Sequence, residues 1–276
     1  MRHAILGNGN LGNSLAKEFV KRNHEFHIFS ASTDWKYPSE GLIKIHDYLP
    51  DHVWTTVGAG SVEQANTNFV PFSDLHIRLP MELAQSLNAG ITLHLFSTDY
   101  CAVPAQSLYA LSKQCMEEAV QMTGRAKTYI YRVGSLYGTN RPQKCFPYKI
   151  KKASLNKKIK LPLNCVSPTP VDWLAKTLVD AIDTDTFKPL SPTLVCPKDC
   201  VTVKGWGELI LGEELEMKEF PNGLNSCSLR PLGCVHHNAN EISISNLSQK
   251  EVQPPTWLEL WKEREEEWQK IFQGMV

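Results

Sequence analysis

Tyr109 and Lys113 are the two residues of this chain whose types and spacing most directly suggest chemistry. The pattern over 107–122 predicts a helix, so side chains four positions apart share one of its faces. An unperturbed tyrosine hydroxyl has a pKa of about 10, and a neighbouring ammonium favours the phenolate and lowers that value. Such a tyrosine can exchange a proton near neutral pH. The alternative is an amphipathic helix whose Tyr and Lys have no chemical role, because this spacing alone is common.

A hydroxyl residue, Thr98, directly follows a predicted strand over 92–96, within the sequence Ser97–Tyr100 (STDY). Ligands of α/β proteins bind outside the carboxyl ends of such strands. Thr98 could therefore orient a substrate carbonyl beside Tyr109.

A glycine-rich motif, GNGNLG over Gly7–Gly12, follows a short apolar strand over 3–6 and opens a helix. In this context Gly7 allows a tight turn, Gly9 lets the backbone approach a pyrophosphate, and Gly12 lets the helix pack close to the strand. The helix N-terminus then offers N–H groups and a positive dipole to the phosphates. We predict a dinucleotide site formed by Gly7, Gly9, Asn10, Leu11 and Gly12. The alternative is a glycine-rich turn with no ligand.

The second predicted strand, over 25–29, ends in Phe29-Ser30-Ala31-Ser32 and lacks the acid that often holds the adenosine ribose. No carboxylate is present there to repel a 2′-phosphate, which favours NADP over NAD. We predict that Ser30 and Ser32 contact the cofactor. Lys36 could pair with such a phosphate, although a solvated loop charge is the simpler interpretation.

Strands alternate with helices along the first half of the chain, which predicts a parallel sheet with helices on both faces. Further strands are predicted over 53–57 and 128–133, and a further helix over 73–87. The expected fold is a Rossmann-type doubly wound α/β sheet with a small C-terminal substrate-binding domain. Residues 1–140 are expected to form the NAD(P)-binding domain. Residues 141–276 are expected to form a smaller mixed α/β substrate-binding region, from which the chain can cross back to the core.

Composition excludes several classes of protein. The 276 residues contain 29 basic and 29 acidic side chains, so no net field attracts nucleic acid or an anionic membrane. No apolar stretch approaches the length of a transmembrane helix, and the N-terminus does not resemble a signal peptide. The eight cysteines are therefore expected to be reduced thiols of a cytoplasmic protein.

Several motifs together resemble the extended branch of the short-chain dehydrogenase/reductase superfamily, and most of all its dTDP-4-dehydrorhamnose reductase group. The resemblance covers most of the chain as a divergent member. The segments that carry it are Pro50–Val53, Ala65–Asn68, Ser97–Tyr100, Tyr109–Lys113, Arg132–Gly138, Ser167–Thr169, Asp172 with Leu174–Ala175, and Arg230–Pro231.

This resemblance implies a catalytic group of Thr98, Tyr109 and Lys113. Tyr109 would protonate a carbonyl oxygen as hydride arrives from the nicotinamide, and Lys113 would hold the ribose and lower the pKa of Tyr109. Further cofactor contacts are implied for Ser97, Asn68 and Gly134. Substrate contacts are implied for Asp99, Tyr137, Arg141 and Thr169.

The implied reaction is NAD(P)H-dependent reduction of a keto group on a nucleotide-linked deoxysugar. The expected partners are that sugar nucleotide and, in a homodimer, a second copy of the chain. The loop between Thr98 and Tyr109 is about half the length usual in these reductases, which leaves the substrate open. Two alternatives remain: an epimerase or dehydratase that recycles its cofactor, and a non-catalytic NADP-binding regulatory subunit.

Two other clusters have simpler interpretations. A zinc site could be drawn from Cys196, Cys200, Cys227, Cys234, His236 and His237. No close C-x2-C pair is present, so scattered thiols are favoured and no metal is predicted. The aromatic stripe Trp257, Trp261, Trp268 and Phe272, with Arg264, is expected to dock the last helix on the body of the protein. A partner surface is the alternative.

Overall fold

The computed structural model describes residues 1–30, 38–58, 65, 69–102, 107–155, 160–161, 165–184, 189–197, 199–217 and 255–275. The chain divides into two compact units. The first unit comprises Met1–Val133 and Ala175–Leu194, and the second comprises Gly134–Leu174 and Val195–Val276.

The strands, in chain order, are β1 (Arg2–Leu6), β2 (Glu25–Phe29), β3 (His52–Thr55), β4 (Thr92–Thr98), β5 (Thr128–Val133), β6 (Ser135–Tyr137), β7 (Lys160–Leu161), β8 (Cys165–Val166), β9 (Pro168–Pro170), β10 (Thr193–Val195), β11 (Val201–Thr202) and β12 (Glu216–Met217). The α-helices are α1 (Asn10–Lys21), α2 (Pro38–Tyr48), α3 (Phe69–Ser73), α4 (Leu79–Ser86), α5 (Leu108–Met122), α6 (Phe146–Ser154), α7 (Val171–Asp183), α8 (Val203–Leu211), α9 (Trp257–Lys262) and α10 (Glu265–Gln273). A π-helix over Asp74–Arg78 joins α3 to α4, and 3₁₀ helices cover Asp99–Ala102 and Pro142–Lys144.

The first unit is built on a six-stranded sheet in the order β10-β5-β4-β3-β1-β2. The pairings of β1 with β2 and β3, of β3 with β4, and of β4 with β5 are all parallel, which confirms the predicted Rossmann-type fold. Because β2 and β3 lie on opposite sides of β1, the strand order reverses there, and ligands of such sheets bind at this point. Gly7, Ser30 and Thr56 follow these three strands and mark that edge.

The two faces of this sheet differ in chemistry because successive side chains of a strand point to opposite faces. One face is aliphatic and packs against α4 and α5 through Leu83 and Met116. The other face carries rings from neighbouring strands. On it Trp54 and His94 stack with centroids 3.8 Å apart, and His3 stacks on Phe19 of α1 at 3.9 Å.

Buried histidines on the ring-bearing face are joined by hydrogen bonds. Trp54 Nε1 donates to His3 Nδ1 over 3.3 Å, so the other ring nitrogen of His3 carries its proton and donates to His24 Nδ1 over 3.0 Å. His94 lies between His52 and the hydroxyl of Tyr131, at 3.0 and 2.8 Å. Burial lowers the pKa of His3 to about 2 and that of His94 well below its usual value, so both imidazoles are neutral.

Acidification should therefore destabilise the protein through these histidines. In the unfolded chain a histidine binds a proton below a pH of about 6.5, whereas His3, His94 and the equally buried His76 stay neutral in the folded chain. Above that pH these histidines leave the free energy of unfolding unchanged. Below it, each histidine lowers the free energy of unfolding by about 1.4 kcal/mol per pH unit. At about pH 5 the three histidines together should lower the free energy of unfolding by about 6 kcal/mol relative to neutral pH.

Denaturant unfolding at about pH 7.5 and about pH 5 measures this loss. His94→Gln should flatten the pH dependence, whereas the matched change His27→Gln, at an exposed histidine of β2, should leave it unchanged. Equal free energies of unfolding at the two pH values would contradict the expectation.

The second unit has an aromatic core. Tyr137, Trp206, Trp261 and Trp268 are almost completely buried and pack together with Phe272. The aromatic stripe of the C-terminal segment thus faces inward, as predicted. The expected single helix over 257–272 is instead α9 and α10, and a capping box between Thr256 and Glu259 starts α9.

Arg264 lies between these two helices, and its side chain does not pack with the aromatic stripe. Its guanidinium is bidentate to Asp172, with Nε to Oδ1 at 2.9 Å and a terminal nitrogen to Oδ2 at 2.8 Å. This residue therefore ties the turn between α9 and α10 to α7 rather than joining the aromatic core.

The described cysteines differ in oxidation state. Cys101, Cys115, Cys145, Cys165 and Cys196 are free thiols, as expected. Cys200 is disulfide-bonded, so the expectation of reduced thiols is wrong for this residue. Cys227 and Cys234 lie outside the described residues.

Candidate functional site

The glycine-rich turn at the end of β1 has a backbone that side chains would disrupt. Gly7 has φ +113°, a left-handed value that favours glycine. A Cβ on Gly12 would lie 2.1 Å from the carbonyl oxygen of Gly7, so α1 can approach the turn only without a side chain at that position. The first and third glycines therefore have the structural roles expected of them.

Thr56, which sequence reasoning missed, holds this turn in place. Its hydroxyl lies 3.0 Å from the carbonyl oxygen of Leu6 and 3.1 Å from that of Gly7, and its single proton is shared between these two acceptors. The predicted strand ran over 53–57, whereas β3 ends at Thr55 and leaves Thr56 beside the turn. A hydroxyl residue directly after the strand that neighbours β1 is the signal that could have identified it.

The N-terminus of α1 is suited to phosphate. Its N-cap is Gly9, which has no side chain to cap the helix, and its first turn has no acidic residue. Among the described residues, no atom would lie within 4 Å of a Cβ on Gly9, so this part of the structure leaves room for a ligand against the backbone. The N–H groups of a helix N-terminus and the helix dipole favour an anion, so the residues present fit the pyrophosphate of a dinucleotide. Asn10 begins α1, and Leu11 is 6% exposed and packs in the core.

The end of β2 lies next to the same turn, since the Gly7 amide donates to the carbonyl of Phe29 over 2.9 Å. Ser30 follows Phe29 and is half-buried, and this position carries a hydroxyl rather than a carboxylate. Ser32, Lys36 and Asn68 lie outside the described residues.

The predicted catalytic residues lie on β4 and on the first two turns of α5, which packs against it. Ser107 caps α5 by accepting a hydrogen bond from the Ala110 amide, which places Tyr109 in the first turn and Lys113 one turn later. The Lys113 ammonium is buried and donates to the carbonyl of Phe96 in β4 over 2.9 Å. Thr98 is 5% exposed, and its hydroxyl donates to Asp99 Oδ1 over 3.2 Å.

Burial sets the protonation of this group. It raises the pKa of Tyr109 above its usual value, and the negative charge of Asp99 adds to the effect. Burial also lowers the pKa of Lys113 to about 8. In the protein without a ligand the pKa of Tyr109 is therefore raised, not lowered as the resemblance implies, because burial and Asp99 both favour the protonated phenol.

Ser97, a predicted cofactor contact, belongs to a buried network. Its hydroxyl donates to Glu117 Oε1, and Glu117 is also bound by Arg132, with Nε at 3.0 Å and a terminal nitrogen at 2.6 Å. This network joins β4, β5 and α5 beneath the Tyr–Lys pair. Glu117 and Arg132 are far apart in sequence, so no local pattern identifies their contact.

Four predicted site residues fall in the second unit. A Cβ on Gly134 would lie 2.3 Å from the carbonyl oxygen of Ser167, and the buried Thr169 hydroxyl donates to that same oxygen over 3.0 Å. Tyr137 is 0% exposed in the aromatic core, and Arg141 is exposed. Gly134, Thr169 and Tyr137 thus have packing roles within this unit.

The described part of the chain has neither a metal-binding cluster nor a membrane-spanning helix. No group of three or more His, Cys, Asp or Glu residues there is arranged to hold a metal ion. None of its helices combines the length and hydrophobicity needed to cross a bilayer.

Comparison with solved structures identifies the fold. The chain is similar to a dTDP-4-dehydrorhamnose reductase from Clostridium acetobutylicum, with 18% identity over 99% of this chain and 100% of the other and a TM-score of 0.75. It is also similar to the reductase from Bacillus anthracis in complex with NADP, with 19% identity, 96% and 99% coverage and a TM-score of 0.76. A UDP-glucose 4-epimerase from Thermus thermophilus in complex with NAD matches at 16% identity, with 79% and 86% coverage and a TM-score of 0.66. The fold is therefore the one these reductases and epimerases share.

Sequence comparison adds no assignment. Neither a protein-family model nor a curated protein matches the chain.

Proposed function

We propose that this protein is an NADPH-dependent oxidoreductase that reduces a keto group on a nucleotide-linked deoxysugar. The observation that carries the proposal is the arrangement at β4, where Thr98 ends the strand and the Lys113 ammonium donates to the Phe96 carbonyl. Tyr109 lies one turn before Lys113, near enough to Asp99 for that charge to raise its pKa. In the same sheet, β1 ends in the glycine turn. The similarity to reductases and epimerases of nucleotide-linked sugars, one of them bound to NADP, supports it.

The cofactor would be held by the turn from Gly7 to Gly12 and by the N-terminus of α1, whose N-cap is Gly9. Ser30, which brings no negative charge to the end of β2, favours NADPH over NADH, while NAD remains compatible with the turn. Lys113 would hold the ribose. Bound NADPH supplies the hydride for the reduction.

Tyr109 would supply the proton. Its raised pKa keeps the phenol protonated at neutral pH, which is the state a proton donor needs. The Thr98 hydroxyl would orient the carbonyl, and Tyr109 would transfer its hydroxyl proton to the carbonyl oxygen. The Lys113 ammonium would then stabilise the phenolate that remains.

A panel of 4-keto sugars linked to dTDP, UDP or GDP tests the proposal. At least one should cause oxidation of NADPH, faster than of NADH, as measured by nicotinamide absorbance. The matching sugars without a keto group are the control. If NADPH binds and no sugar is reduced, the proposal fails in favour of a non-catalytic NADP-binding subunit.

Epimerisation is the second candidate, and the likeness to the NAD-bound Thermus epimerase favours it. An epimerase returns the hydride to the sugar, so the sugar would change while the nicotinamide absorbance does not. The homodimer and the cytoplasmic location stay predictions from the sequence.

A further inference from the structure

His76 lies in an unusual backbone setting next to the Tyr–Lys helix. It is 1% exposed and sits in the middle of the π-helix Asp74–Arg78, between α3 and α4. Single π-helical turns within α-helices are rare and are frequent at functional sites. A Cβ on Gly58, just after β3, would lie 4.0 Å from His76 Nε2. The imidazole is therefore close to the cofactor edge of the sheet, the edge marked by Gly7, Ser30 and Thr56 where the cofactor is proposed to bind.

One contact of His76 reaches the backbone of Tyr109 through Ser112. The Ser112 hydroxyl donates its proton to the carbonyl oxygen of Tyr109 over 2.7 Å. A hydroxyl has one proton, so Ser112 Oγ must accept from His76 Nδ1, 3.0 Å away. Burial, with the Lys113 charge as a smaller cause, lowers the pKa of His76 to about 3, so the imidazole is neutral and its proton is on Nδ1.

A second contact reaches the ring of Tyr109. The imidazole and the phenol ring are edge to face, with centroids 5.5 Å apart and planes at 81°. Edge-to-face packing is a favoured arrangement of aromatic rings. His76 thus contacts Tyr109 at its ring and, through Ser112, at its main chain.

We infer that His76 is a positioning residue that orients the Tyr109 phenol for proton transfer. The inference rests on the proposed function, in which Tyr109 is the proton donor. Proton transfer requires close alignment, and a displacement of about 1 Å can cost about 10²-fold in rate. His76 orients Tyr109 through both contacts and itself transfers no proton.

Two variants separate the two contacts. His76→Asn retains an amide that can donate to Ser112 and removes the ring, whereas His76→Phe retains a ring edge and removes the donor. We expect each to lower kcat by about 10-fold and His76→Ala by about 100-fold, with the KM for NADPH unchanged. Ser112→Ala and His76→Phe should combine less than additively, because both remove the hydrogen bond between His76 and Ser112. His46→Ala, on α2, is the matched control and should retain full kcat.

A purely structural role would instead lower thermal stability and weaken NADPH binding in proportion to activity, with no partial recovery in His76→Asn or His76→Phe over His76→Ala. That pattern, or full kcat in His76→Ala, would overturn the inference. A measurement that needs no turnover separates failure of the inference on His76 from failure of the proposed function. In protein labelled with ¹³C-tyrosine, the ring resonance assigned by its loss in Tyr109→Phe should shift in His76→Asn, and an unshifted resonance would also overturn the inference.

Discussion

Replacing Tyr109 by phenylalanine should lower kcat by about 10²–10⁴-fold while NADPH binds with unchanged affinity. The substitution removes one oxygen and keeps the ring, so the edge-to-face contact with His76 and the hydrogen bond from Ser112 to the main chain persist. The group lost is the phenol whose pKa burial and Asp99 raise. At neutral pH that phenol holds its proton, and it lies one turn before Lys113 on the same helix.

Steady-state kinetics with NADPH and the sugar found active in the panel measure the effect, and fluorescence titration measures cofactor affinity. Tyr129→Phe is the matched control, because Tyr129 lies near the amino end of β5, away from the cofactor edge. It should retain full kcat. A Tyr109→Phe enzyme with normal kcat would eliminate Tyr109 as the donor.

Alanine at Gly9 and at Gly12 should separate cofactor binding from folding. Gly12→Ala places a methyl group 2.1 Å from the Gly7 carbonyl oxygen and 2.9 Å from Thr56 Oγ1. Neither atom can move far, because Thr56 is itself bonded to the turn. Overpacking of this kind costs about 1–3 kcal/mol, so we expect a lower melting temperature together with lost NADPH binding.

Gly9→Ala should leave folding nearly unchanged, because its Cβ would meet no atom of the described residues within 4 Å. Alanine is a poorer N-cap than glycine, at a cost below about 1 kcal/mol. The methyl group would occupy the space against α1 where the pyrophosphate is proposed to lie. Loss of one charge-assisted hydrogen bond, worth about 1.5–3 kcal/mol, would weaken NADPH binding about 10- to 100-fold.

Thermal unfolding without NADPH and fluorescence titration with it distinguish the two variants. Gly90→Ala is the control, since its Cβ would likewise meet no described atom within 4 Å and it precedes β4 at the opposite sheet edge. It should change neither property. If Gly9→Ala binds NADPH as tightly as the unchanged protein, the glycine turn is not the pyrophosphate site.

Much of the fold could be predicted because it depends on local patterns. The strands over 25–29 and 128–133 were predicted with the bounds that β2 and β5 have, and the helix over 107–122 differs from α5 by one residue. In contrast, α2 lies in a stretch that shows little periodicity, so it was not predicted. Likewise, the helix expected over 73–87 begins earlier and contains a π-helix, which no sequence period indicates.

By itself the sequence determined the glycine turn and the Tyr–Lys pair, because both depend on neighbours a few residues apart. Only the tertiary structure decided what surrounds them. It brought Thr56 to the turn and His76 to Tyr109, and it placed Ser97 on Glu117. It also reversed the expected direction of the Tyr109 pKa. Desolvation and nearby charge depend on residues that are distant in sequence and adjacent only after folding.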